Sequence, residues 1–324
     1  MRRLLTLALT LMLGIALAQP SGTLRLYTSQ PDADAARTKA AFEAAHPGVT
    51  VEIFRSGTEQ VMARFLLEVE AGAPQADVLL VADAPTFELL KARGLLEPFP
   101  QAVSATAIAA GYADPDGTYY GTKILATLIT YNTNMVSNPV TSWAELAALP
   151  AGSVIMPSPS YSGAAAYNLG VKTRDPRLGW AWYEALAASD VFLVQGNGAV
   201  LRSVAGGERP YGVVVDFLPI RAALEGSPVG IIYPREGVPV ITEPVGIVKG
   251  TPNLEAAQAF VNFLLSVEGQ RVAVDMGYMP LRNDVAPPAG FPALADLLQL
   301  SAPASALAAT RDADKDRFAT LFGE

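Results

Sequence analysis

Within its first hundred residues the chain alternates three β-branched, apolar runs with three helical stretches, and this order constrains the fold more than any other feature. In "TLRLYTS" (23–29), Leu24, Leu26 and Thr28 alternate with Arg25, Tyr27 and Ser29, the period-two pattern of a strand. "DADAARTKAAFEAAH" follows as a helix with Asp32 or Asp34 as its cap, ended by Pro47-Gly48. "VTVEIF" (49–54) is a second strand. The next helix opens with Ser56 and Glu59 in capping-box spacing and closes at Gly72. "ADVLLVADA" is nearly all apolar, as a strand covered on both faces must be, and it ends at Asp83. "TFELLKARG" is a third helix. Such alternation specifies a parallel sheet with helices on both faces. In these sheets ligands bind beyond the carboxyl ends of the strands. Here those ends are Ser29, the turn at 55–58 and Asp83.

A second half begins near "ATLITYNTNMV" (126–136). "TSWAELAAL" places Ser142 and Glu145 in capping-box spacing before a helix. "SVIMPSPSYSGAAAYNLG" reads as a strand, a Ser/Pro/Gly loop and a small-residue helix. A further helix starts at Asn197 and stops at Gly206-Gly207. "PYGVVVDFLPI" (210–220) is a strand that ends on Asp216, and "VGIIYP" and "VGIVKG" are two more. "LEAAQAFVNFLLSVEGQRVAV" is one long helical region with Ala257, Phe260, Val261 and Leu264 on a common face. The tail after Pro287 is helical with a weaker pattern.

The compartment follows from the start of the chain. Arg2 and Arg3 precede an apolar run of about fourteen residues, too short to span a bilayer comfortably. Ala16-Leu17-Ala18 is a small-x-small cleavage site before Gln19. Residues 1–18 therefore read as a secretory signal peptide, with no Cys at the cleavage site to carry a lipid. The chain has no Cys and one His, His46. An exported fold without disulfides has to bury a sizeable core. Thiolate zinc sites, Cys nucleophiles and His-rich metal sites are excluded. His46, ahead of Pro47 at a helix end, is read as a C-terminal cap without a ligand role. The formal charge of −8 becomes −10 without Arg2 and Arg3, which disfavours nucleic acid as a partner.

Five segments, in this order, carry a resemblance: "LRLYTS", "QADVLLVAD", "ITYNTNMVSNPVTSWAELAAL", "SPSYSGAAAYN" and "ITEPVGIVKGTPNLEAAQAFVNFLLSVEGQ". The chain resembles the substrate-binding proteins of bacterial ABC importers, in the branch of ferric-ion, thiamine, phosphonate and sugar-phosphate binders. The resemblance implies an α/β fold of periplasmic-binding-protein type II: two doubly wound α/β lobes joined by two crossover strands, near residues 125–131 and 242–248. The expected N-terminal lobe comprises residues 19–126 and 245–285, and the C-terminal lobe 127–244 and 286–324. It also implies a periplasmic monomer without cofactor or catalysis, which clamps a solute between hinged lobes and delivers it to an ABC permease at the inner membrane.

Three helix starts face the expected cleft and carry Ser56 with Thr58, Ser160 with Ser162, and Asn197. Free N–H groups and the helix dipole make such turns anion sites; the same residue types are also ordinary N-caps. Ser29 ends the first strand beside them. In the ferric binders of this branch the strand end matching Asp216 carries adjacent iron-binding tyrosines. Here it reads Val215, Asp216, Phe217, although Tyr161, Tyr167 and Tyr233 lie nearby in sequence. The phosphonate and sugar-phosphate relatives resemble this chain in having an Asp there and a Tyr-Pro-x-Glu-Gly turn after it, here ending Glu236-Gly237. The expectation is a small anionic organophosphate, its phosphoryl end on the Ser/Thr turns and its organic end on Asp216 and Glu236. Two alternatives stay open: a ferric-ion binder of the same family, and a secreted hydrolase using Asp83 and Asp216 as a carboxylate pair.

Overall fold

The structure, a computed structural model, describes residues 20–102, 107–108, 111–292 and 294–324. The signal-peptide reading of residues 1–18 lies outside the described residues. The first half alternates β1 (Gly22–Thr28), α1 (Asp32–Ala45), β2 (Val49–Arg55), α2 (Thr58–Glu70), β3 (Val78–Leu80) and α3 (Ala84–Ala92). Then come β4 (Leu96–Glu97) and the long β5 (Tyr120–Asn132). The second half holds α4 (Trp143–Ala147), β6 (Val154–Pro157), α5 (Gly163–Arg174), α6 (Gly179–Ala188), β7 (Phe192–Val194) and α7 (Asn197–Ala205). It continues with β8 (Tyr211–Val215), α8 (Phe217–Leu224), β9 (Val229–Ile232) and β10 (Val238–Val248). The chain closes with α9 (Leu254–Leu265), α10 (Val267–Asp275), β11 (Gln299–Leu300) and α11 (Ala304–Phe322).

The sheet runs β2-β1-β3-β10-β5-β8-β6-β7, with β4 and β11 on β10 and β9 on β5. β1 pairs in parallel with β2 and β3, and β6 in parallel with β7 and β8, so each end is a parallel α/β unit. Antiparallel β5 and β10 form the centre and serve both lobes. β5 pairs with β10 up to Ala126 and with β8 from Thr127 onward. β10 pairs with β5 around Ile241 and with β3 at Val245, and its register shifts between Thr242 and Pro244. Proline has no N–H to give to a ladder, and a central strand tolerates it at such an irregularity.

Packing explains which sequence patterns were strong. Val78, Leu79 and Leu80 of β3 are fully buried, as an apolar strand between two helix layers should be. Trp143, Trp182, Tyr183 and Phe318 form an edge-to-face cluster under α4, α5, α6 and α11. The indole N–H of Trp143 donates to the Gly237 carbonyl at 2.8 Å, and that of Trp182 to the Trp143 carbonyl at 2.7 Å.

Three local expectations are corrected. Neither Asp32 nor Asp34 caps α1, whose N-cap is Pro31; Asp34 is buried and accepts from Arg221 and the Tyr278 hydroxyl. Ser56 and Glu59 form no capping box: Gly57 is the N-cap of α2, and Glu59 accepts from Arg311 and Lys315 of α11. Two cationic donors offer stronger bonds than a neutral backbone N–H. The long helix expected over 254–274 breaks at Ser266, which is extended and caps α10 by accepting from Gly269 N at 3.0 Å.

Candidate functional site

A cleft of about 270 Å³ lies between the lobes, at the carboxyl ends of the strands. Ser29, Arg55 and Ala82 reach it from the ends of β1, β2 and the segment after β3. The first residues of α2, α5, α7 and α8 also border it, so four helix N-termini converge on one space. α2 and α7 have no side-chain cap. Their N-termini point the positive end of each helix dipole at this space, and although Glu59 N and Ala199 N already donate to backbone carbonyls, no side chain occupies the remaining first-turn N–H groups.

The lobes are closed on each other. Glu59 N donates to the Tyr161 carbonyl at 3.4 Å, and Gln60 Nε2 to the Ser160 carbonyl at 3.4 Å. Gly57 lies against the Tyr161 ring and carbonyl, where a β-carbon would stand 2.6 Å from each. Only glycine permits that approach.

Of the residues expected from the sequence, Ser29, Thr58, Ser162 and Asn197 line the cleft. Ser29 Oγ accepts from Ala82 N at 3.1 Å, fixing the turn after β3. Ser162 caps α5 by accepting from Ala165 N, and it also accepts from Asn197 Nδ2 at 3.3 Å. Asn197 Oδ1 accepts from Val215 N at 3.1 Å, so three turns of the second lobe are tied together.

Four expected residues stand elsewhere. Ser56 is adjacent in sequence to the lining residues Arg55 and Gly57 but does not line the cleft. Ser160 is exposed and donates to Glu324. Glu236 is corrected to a structural cap: its carboxylate accepts from Trp143 N at 3.1 Å and Ala144 N at 3.3 Å, the unsatisfied donors of α4. Asp216 is also corrected. It is buried, does not line the cleft, and accepts from Phe217 N at 2.9 Å as the N-cap of α8. Burial pushes its carboxyl up to about 7, and the backbone bonds at Ala126 and Phe217 only partly oppose this. The side chains that do face the cleft here are its neighbours Val215 and Phe217.

The carboxylate pair considered for a hydrolase is likewise absent from the cleft. Asp83 accepts from Thr86 and from Arg311, and Asp216 serves its own helix. Of the tyrosines considered for iron, only Tyr161 lines the cleft. Among the described residues no group of three or more His, Cys, Asp or Glu side chains could hold a metal ion.

Sequence reasoning missed Arg202, Glu243 and Tyr278, and read Arg55 only as part of a turn. Arg55 Nε donates to the Gln30 carbonyl at 2.7 Å and lies 3.8 Å from Asp32. Arg202, on α7, lines the cleft, and its guanidinium makes no hydrogen bond or ion pair to the described residues. The floor is Phe217 packed against a tilted Tyr278, ring centroids 4.2 Å apart, with Glu243 beside them. Burial raises the Glu243 carboxyl above its usual range, and its buried partner Lys123 opposes the shift. No local pattern marks Glu243 or Tyr278, because both arrive from the central strand and a distant loop.

Comparison with known proteins agrees with this architecture. The family model described as bacterial extracellular solute-binding protein matches residues 38–298. The chain belongs to that family, the solute-binding components of ABC importers. It is 28% identical over 257 residues to a protein of Salmonella typhimurium named putative 2-aminoethylphosphonate-binding periplasmic protein, covering 74% of this chain and 72% of that one. It is 26% identical over 265 residues to iron uptake protein A1 of Synechocystis, covering 75% and 73%. The solved structure of AfuA from Actinobacillus pleuropneumoniae, described as having exogenous fructose-6-phosphate bound, superposes with a TM-score of 0.86 at 20% identity, over 94% of this chain and 99% of that one. The Salmonella and Actinobacillus proteins are named as binding proteins, and the family delivers solutes to a permease. No described helix is long and apolar enough to cross a membrane.

Proposed function

We propose that the protein captures a small organic anion with a phosphoryl or phosphonyl group and hands it to an ABC permease at the inner membrane, acting as a periplasmic monomer. The observation that carries this reading is the convergence of Arg55, Arg202 and two uncapped helix N-termini on one 270 Å³ cleft. Ser29, Thr58, Ser162 and Asn197 frame that anionic end. The organic end rests on Phe217 and Tyr278, with Glu243 as the carboxylate at the floor. Asp216 and Glu236 are not assigned to the ligand. The volume suits a ligand of roughly hexose-phosphate size or smaller. The lobe boundaries given above and a cleaved leader over 1–18 belong to the same reading.

Ferric ion is the competing cargo, and the cleft offers it little. Its phenols are Tyr161 and Tyr278, and the Tyr278 hydroxyl donates to Asp34 at 2.6 Å. Fe³⁺ requires several hard anionic oxygens. Calorimetry with 2-aminoethylphosphonate, fructose 6-phosphate and glycerol 3-phosphate, set against ferric citrate, tests the proposal. At least one organophosphate is expected to bind tightly. A visible phenolate-to-iron band on adding ferric citrate, with no heat from any organophosphate, overturns it.

A further inference from the structure

Helix α11 touches both lobes. On the first, Arg311 is almost fully buried and donates to two carboxylates from separate elements: Asp83 at 2.6 Å and Glu59 at 2.7 Å. Lys315 adds a second bond to Glu59 at 2.8 Å. Each acceptor directly follows a residue that lines the cleft, Asp83 after Ala82 and Glu59 after Thr58. Asp83 holds φ 147° and ψ 153°, a conformation costly for any residue with a β-carbon. The Thr86 amide and hydroxyl donate to its Oδ1, and Arg311 to its Oδ2.

On the second lobe the helix has a different attachment. Arg174 of α5 donates to Asp314 at 3.2 Å and to the Ala306 carbonyl at 3.4 Å. Arg317 donates to Glu184 of α6 at 3.2 Å and lies 4.2 Å over the Trp180 ring. Phe318 packs edge-on against Tyr183. The helix is thus pinned to one lobe by a buried guanidinium and spread on the other across a partly exposed surface.

We propose that α11 is an interlobe clasp and Arg311 its positioning residue, holding the turns of Ala82 and Thr58 in place and biasing the lobes toward closure before any ligand binds. Opening that parts α3 from α5 has to break one attachment. Losing the Arg311 side would leave the buried Asp83 and the half-buried Glu59 without this partner, which is costly. A contact made in only one of two states shifts the balance by its differential free energy. The clasp acts whatever solute the cleft takes.

The chain has no cysteine, so Leu67→Cys on α2 and Leu224→Cys on α8 can each carry a spin label. These residues are 67% and 72% exposed, on opposite lobes. The label-to-label distance distribution is read on the full protein without ligand. Arg311→Ala should move population from short to long distances, lowering the closed-to-open ratio about tenfold, as expected for a lost charged hydrogen bond. Arg311→Lys should restore part of it. Arg174→Ala with Arg317→Ala, which frees the other attachment and leaves Arg311 paired, should produce the same shift, and all three changes together should add little. Distances unchanged in both sets of variants, even with a lowered melting temperature, would reduce α11 to ordinary packing and overturn the proposal. No ligand enters the measurement, so its failure is separate from failure of the organophosphate reading.

Discussion

Gly163 of α5 meets the carbonyl of Ala82 across the lobe boundary so closely that a β-carbon on Gly163 would stand 2.3 Å from that oxygen and 2.8 Å from Thr58 Oγ1. Backbone cannot move aside as a flexible side chain can. Gly163→Ala should therefore prop the lobes apart and leave each lobe intact. Affinity for the proposed organophosphate is expected to fall at least about tenfold, the effect of a modest overpacking strain. Calorimetry measures the affinity, and far-ultraviolet circular dichroism should show unchanged secondary structure. Unchanged affinity would mean that ligand is held in a more open arrangement.

The Arg202 guanidinium lines the cleft without an acceptor among the described residues, so its charge is available to a ligand. Arg202→Ala should weaken organophosphate binding by about ten- to a hundredfold, the range for a charge-assisted hydrogen bond. The remaining affinity should depend less on salt. Titrations at two ionic strengths check both effects, and Arg202→Lys should recover only part because an ammonium lacks the planar fork.

Asp216 carries a pH signature. Burial raises its carboxyl to about 7, well above the unfolded value of about 3.9. Between pH 4 and 7 the native state keeps a proton that the unfolded chain has lost. The stability this group contributes is thus fully present below pH 4 and is lost as pH rises through 7. Relative to Asp216→Asn, the wild type should lose about 1.4 kcal/mol per pH unit across that window. Urea unfolding of both proteins at pH 4.5 and 7.5 measures the difference. A constant gap would show that Asp216 titrates normally.

Lys172 is fully buried with its Nζ 3.0 Å from the Trp143 ring centroid and 4.0 Å from that of Trp182, and no hydrogen-bond acceptor among the described residues. Burial pushes the amine well below its usual range, opposed only by the charge of Glu236. A depressed lysine binds its proton more weakly in the native state, so its cost grows as pH falls below the unfolded value. Lys172→Met should raise stability by about 1–3 kcal/mol, more at pH 6 than at pH 9. A loss at both pH values would show that the ammonium is retained on the indole faces as a net stabilising contact.

The alternation of strands and helices in the first half was legible because each element there is set by local periodicity and ends in a Gly or Pro signal. β3 reads clearly from Val78, Leu79 and Leu80 because both of its faces are covered. The site was only half legible. Ser29, Thr58, Ser162 and Asn197 stand at turns that the sheet topology places together. Asp216 and Glu236 misled because a carboxylate at a turn looks the same whether it grips a ligand or caps a helix; only the distant Trp143 amide decides for Glu236. Arg202 sits on the exposed side of a helix whose ends the sequence marks, but its relation to the cleft depends on how α7 packs. α11 was read as weakly patterned for a physical reason: among its buried residues are Leu307, Phe318 and a charged one, Arg311, which a hydrophobic period does not register.

The ladder between β5 and β10 slips register between Thr242 and Pro244, and the residue passed over is Glu243, the carboxylate at the cleft floor. Like a crease in card, an irregularity in the strands shared by both lobes brings a charged side chain to the line between them. Exchanging that one side chain would change the chemistry of the floor while the turns around the rim keep their places on the two parallel units.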